Sequence, residues 1–105
     1  MEKNKTQQEI LNFIKQNKNY IKKTFHIKKI GLYGSYIENK QKPESDIDIV
    51  VEVPKKFKKF KTFLAMKTYF EKNLGKKIDL VFIDSLNPII FNEINEEIVY
   101  VWTLR

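Results

Sequence analysis

Apolar residues recur at helical spacing near the start of the chain, where Ile10, Phe13, Ile14, Tyr20 and Ile21 follow the polar run Thr6-Gln7-Gln8-Glu9. A threonine followed three positions later by a glutamate has the form of a capping box, so the pattern predicts a first helix over residues 6–24. The period then shortens. Apolar runs at about 27–33, 46–53 and 77–83 read as strands, the second stopped by Pro54, which cannot donate to a sheet. Between the second and third runs, Phe60, Phe63, Leu64, Lys67 and Phe70 mark a helix that ends before Gly75, its aromatic stripe expected to pack in the core. Asn87 to about Asn95, with Pro88 in its first turn, predicts a short helix, and Ile98 to Trp102 a final strand or edge. The segment from Ser35 to about Lys40 reads as another short helix, and Gln41 to Ser45, with Pro43, as a turn. This alternation predicts a small α/β (α+β) domain, a mixed twisted sheet of about four strands with helices mainly on one face.

Length narrows the function. A chain of 105 residues supports one core, hence a single domain over 1–105, and leaves no room for a second domain to hold a substrate. No apolar run approaches the roughly 20 residues of a membrane span, and the start Met1-Glu2-Lys3-Asn4-Lys5 has no apolar core of a signal peptide. Absence of cysteine excludes disulfides and thiolate metal sites, and a cytoplasmic location is the expectation. The formal charge is +7, and Arg105 is the sole arginine among twenty cations. Arginine is the residue suited to bidentate reading of bases and phosphates, so direct nucleic-acid binding is not expected. The cluster Lys55-Lys56-Phe57-Lys58-Lys59-Phe60-Lys61 reads as a solvated loop and helix start, with contact to RNA, an acidic partner or a triphosphate left open. His26, alone before a strand, reads as a surface or capping residue, and Trp102 as core or interface.

The chemistry concentrates in two segments. Gly34-Ser35 follows the first strand, ten residues intervene, and Asp46-Ile47-Asp48 opens the second. Acids at i and i+2 of a strand share a face, where their mutual repulsion favours a divalent cation between them. A Gly-Ser turn opening a helix offers backbone N–H groups and a hydroxyl to phosphate. Asp79 lies within the otherwise apolar run Ile78-Asp79-Leu80-Val81-Phe82, where an unpaired carboxylate is costly. If the third strand lies beside the second, Asp79 faces Asp46 and Asp48 across about 5 Å. Three such carboxylates suit two magnesium ions and a nucleoside triphosphate, with Asp79 able to take a proton from an attacking hydroxyl.

Leu32-Tyr33-Gly34-Ser35, the ten-residue gap, Ser45-Asp46-Ile47-Asp48-Ile49-Val50 and Ile78-Asp79-Leu80-Val81 resemble the nucleotidyltransferases of the DNA polymerase beta superfamily. The small size resembles its minimal nucleotidyltransferases (MNT), antitoxins paired with HEPN-domain toxins. The resemblance spans about residues 27–102. It implies that Gly34 and Ser35 bind the triphosphate of ATP, that Asp46 and Asp48 ligate Mg2+, and that Asp79 serves as ligand and base. It also implies transfer of AMP to a hydroxyl of the partner HEPN toxin, a tyrosine by analogy, with release of pyrophosphate. Family members commonly carry a small residue, then Arg and Gly, soon after the Gly-Ser, whereas this chain has Tyr36-Ile37-Glu38-Asn39. That departure keeps an alternative in view, a binding module that neutralises a toxin by complex formation with little or no catalysis.

Overall fold

The computed structural model describes residues 7–34 and 46–103. The predicted first helix is two, α1 (Gln7–Gln16) and α2 (Lys18–Phe25). They meet at Asn17, whose φ of −107° and ψ of 18° leave helical geometry while its side-chain Nδ2 donates to the Phe13 carbonyl at 2.8 Å and its own N–H to the same oxygen at 3.1 Å. Apolar spacing does not register such a local change of backbone. Both helices still bury one stripe, Ile10 and Ile14 on α1 and Ile21 and Phe25 on α2. Thr6, the predicted cap, lies outside the described residues. His26 is a cap, adopting φ 61° after α2 and donating its N–H to the Lys22 carbonyl at 2.9 Å.

Strands β1 (Lys29–Tyr33), β2 (Ile47–Glu52), β3 (Ile78–Phe82) and β4 (Val99–Thr103) form one mixed sheet in the order β3-β2-β1-β4. β1 pairs antiparallel with β2 and β4, while β2 and β3 are parallel and joined by α3 (Phe60–Leu74). Parallel neighbours need such a crossover. Gly75 ends α3 at φ 69°, its N–H bonded to the Glu71 carbonyl, as the sequence predicts. After β3, α4 (Pro88–Ile94) is capped by Asn87, whose Oδ1 accepts the Ile89 N–H at 2.8 Å.

Alternation sorts the strand residues. Ile30, Leu32, Ile47, Ile49, Val51, Ile78 and Leu80 face α1, α2 and α3 and form one core with Met66, Phe70 and Trp102. Each fully buried aliphatic side chain contributes about 1.5–3 kcal/mol to this layer. The aromatic stripe predicted on α3 is only partly core. Met66, Phe70 and Leu74 are buried, whereas Phe60 and Leu64 are 76% and 48% exposed, because the stripe that meets the sheet follows the later residues of the helix. Tyr20 is likewise on the surface, at 52% exposure.

Candidate active site

The other face of the sheet carries the acids. In β1 the inward Ile30 and Leu32 leave Gly31 and Tyr33 pointing the opposite way; in β2 and β3 the same alternation turns out Asp48 and Asp79. Tyr33 is the register partner of Asp48, and Asp48 of Asp79, so the three form one row across three strands. This is the juxtaposition that the sequence predicts for Asp48 and Asp79. Asp46 immediately precedes β2, where the Ile47 N–H donates to the Lys77 carbonyl at 3.0 Å and extends the β2–β3 pairing toward it.

The electrostatics follow from that geometry. The Asp48 carboxyl is pushed up to about 6, first by burial, then by the charge of Asp79 and a hydrogen bond with it, and last by the charge of Asp46. Like charges held together in a partly dry site favour the proton on one of them. The Tyr33 hydroxyl is also raised above its ordinary value, by burial and then by Asp48 and Asp79. It therefore stays neutral and able to donate.

Gly34 closes the row against the following turn. Its φ is 82°, and a Cβ at this position would land on Oδ2 of Asp48. Only glycine satisfies both constraints. The acid thus lies directly over the start of the turn predicted to hold phosphate. Ser35, Glu38 and Asn39 lie outside the described residues.

Among the described residues, no group of three acids or imidazoles is drawn together closely enough to hold a metal ion. The donor chemistry nevertheless fits a hard divalent cation: carboxylate oxygens, no sulfur, and a repelling pair whose excess charge a cation would neutralise. Asp48 and Asp79, with Asp46 beside them, are the residues that would hold it.

The lysine cluster does not join this site. β2 runs from the acids toward Pro54, so the turn Lys55–Phe57 lies about 20 Å farther along the strand. There Lys58 pairs with Asp84 at 3.0 Å, and the Phe57 ring stacks on His26 at 3.6 Å between centroids. Of the three roles left open for the cluster, contact with a triphosphate at the acid row is the one this position removes. Tyr33 is the residue missed as a site member. Its signal was present in the alternation, since a strand that buries Ile30 and Leu32 must turn Tyr33 to the acid face.

The family model for polymerase beta nucleotidyltransferases matches residues 15–102. The chain belongs to that nucleotidyltransferase family. A Methanocaldococcus jannaschii relative, MJ1379, classed by its name with the protein adenylyltransferases, is 38% identical over 92% of this chain and 99% of its own length. The protein adenylyltransferase MntA of Thermococcus cleftensis is 34% identical over 91% of this chain and 96% of the relative. In fold, this nucleotidyltransferase is similar to a toxin-antitoxin crystal structure with AMP-PNP, with a TM-score of 0.71 and 23% identity over 91% of this chain and 74% of that one. It is also similar to a chain of the tri-AMPylated Shewanella oneidensis HEPN toxin in complex with MNT antitoxin, with a TM-score of 0.66 and 22% identity over 93% of this chain and 73% of that one.

Proposed function

We propose that this nucleotidyltransferase is the antitoxin of a toxin-antitoxin pair, transferring AMP from ATP to a tyrosine hydroxyl of a HEPN-domain partner and so silencing it. The observation that carries the reading is the row Tyr33–Asp48–Asp79 set beside the positive-φ Gly34. It gathers acidic ligands next to a turn suited to phosphate, on a rigid sheet. The names of the sequence relatives supply the adenylyl group.

In this reading Gly34 and Ser35 bind the triphosphate, and Asp46, Asp48 and Asp79 hold Mg2+. When bound, the cation neutralises phosphate charge and lowers the pKa of the attacking hydroxyl. An Asp79 carboxylate oxygen accepts the proton of the acceptor hydroxyl as its oxygen bonds to the α-phosphorus. The bond from that phosphorus to the bridging oxygen breaks, and pyrophosphate leaves. The acceptor in this reading is a hydroxyl of the partner, which brings it to the acid row.

Incubation with ATP, Mg2+ and the HEPN partner, read by intact mass, tests the proposal. The partner should gain one or more AMP units, and Asp46→Asn or Asp48→Asn should abolish the gain. Persistent transfer in either variant would sink the assignment of the acids. A stable complex with no mass change would favour neutralisation by binding, the reading motivated by Glu38-Asn39.

A further inference from the structure

On the helical side of the sheet, away from the acids, α2 and α3 leave an open groove of about 580 Å³. Phe25, Ala65 and Tyr69 line it together with Tyr20, Leu64 and Lys61. Tyr20 packs on Tyr69 at 5.3 Å and meets Phe25 edge-on at 6.3 Å between centroids. Its half-exposed ring is thus already held in place, so that little side-chain freedom would be lost on binding. Leu64 is 48% exposed beside it, and Phe60, one turn earlier, 76%.

Charge selects among possible occupants. Helices α2 and α3 hold six lysines, Lys18, Lys22, Lys23, Lys61, Lys67 and Lys72, against one acid, Glu71. That acid is committed, accepting from Lys67 at 2.5 Å and from the Ile78 N–H at 3.1 Å. A second copy presenting its own α2–α3 face to the groove would oppose lysine to lysine. A nucleic-acid strand would find, among the described residues, Lys61 as the one charged side chain lining the trough. An amphipathic helix matches both properties, laying apolar side chains into the trough and carboxylates beside Lys61.

We infer that the groove between α2 and α3 docks an amphipathic helix of the partner protein, its apolar stripe flanked by Asp or Glu. The inference rests on the proposed function for the partner's identity, a HEPN-domain protein. The groove lies on α2 and α3, so docking here does not occupy the row of Tyr33, Asp48 and Asp79, to which the partner's acceptor segment must still reach.

The test is complex formation between the full chain and the HEPN partner, by calorimetric titration at low and high salt, with ATP binding measured in parallel. Lys61 and Leu64 are on the surface, so Lys61→Glu and Leu64→Glu should leave the thermal melt unchanged. Each should weaken the complex about tenfold or more, the loss expected of a central interface residue. ATP affinity should stay at the wild-type value, and the wild-type complex should weaken as salt rises. Wild-type affinity in both variants, with a complex that forms, overturns the groove while leaving the functional reading intact. Loss in Leu64→Glu alone overturns the acidic flank. A wild-type chain that forms no complex overturns the groove and the antitoxin reading together.

Discussion

Asp48 on β2 and Asp79 on β3 are direct partners in a parallel register, close enough to share a hydrogen bond, and Asp48 holds its proton up to about pH 6. In the unfolded chain that carboxyl titrates near 3.8, so the folded state binds the proton more tightly. The resulting stabilisation is complete below pH 3.8 and is lost as the pH rises through 6. Asp48→Asn removes the repulsion present above that range. In a chelator at pH 8 the variant should be more stable by about 1 kcal/mol, after discounting for screening at a partly exposed carboxyl, which is about 4–8 °C in melting temperature. The gap should close near pH 4. A variant that melts at or below wild type at pH 8 would refute the strained pair.

The same titration would govern binding of the proposed cation. A ligating carboxylate must be deprotonated, so Mg2+ affinity should fall as the pH drops through about 6. Melting curves with and without excess MgCl2 should separate at pH 8 and converge by pH 5, with EDTA reversing the gain. Asp48→Asn and Asp79→Asn should erase the separation at every pH. A magnesium effect that survives both substitutions would place the ion elsewhere.

Gly34→Ala couples backbone and site. The residue would have to hold φ 82°, which costs about 1–2 kcal/mol without glycine, and its methyl would displace the Asp48 carboxylate. The melting temperature should drop modestly while AMP transfer falls more than about tenfold. Transfer at the wild-type rate would show that Asp48 tolerates displacement.

Most of the fold was legible because the strands read as short apolar runs bounded by turn residues. Ile47, Ile49 and Val51 against Asp48 state both the element and its buried face, and Pro54, Gly75 and Asn87-Pro88 mark boundaries by backbone chemistry. The acids were legible for the same reason, as charges out of phase with a core. Apolar spacing does not encode a local change of backbone or which side of a helix is covered. The first helix divides at Asn17, and Phe60 and Leu64, spaced like core residues, stand on the surface, Leu64 lining a groove. An apolar residue at helical spacing has the same signature whether it faces this chain's own sheet or another protein.

Gly31 marks where the chain folds back on the acid face. A Cβ there would sit 2.6 Å from Cγ2 of Ile98 and 3.1 Å from the Val99 carbonyl oxygen, at the irregular step in the β1–β4 register. Gly31→Ala should therefore cost about 1–3 kcal/mol, as overpacking does. Hydrogen exchange should locate the loss in β4 first. Uniform loss of protection across all strands would argue that β4 does not open separately.

Tyr33 sits on the opposite side of Asp48 from Asp79, next to Gly34 and so on the side of the row where the proposed reading places the triphosphate. Burial and the two acids keep its hydroxyl protonated, and in the proposed reaction it would donate to an oxygen of ATP. Tyr33→Phe keeps the ring and removes the donor. The KM for ATP should rise about threefold to tenfold, the value of one neutral hydrogen bond, with kcat little changed. Tyr33→Ala removes the wall as well and should raise KM further, while the KM for the protein acceptor stays constant in both. An effect confined to the acceptor would move Tyr33 to the other side of the reaction.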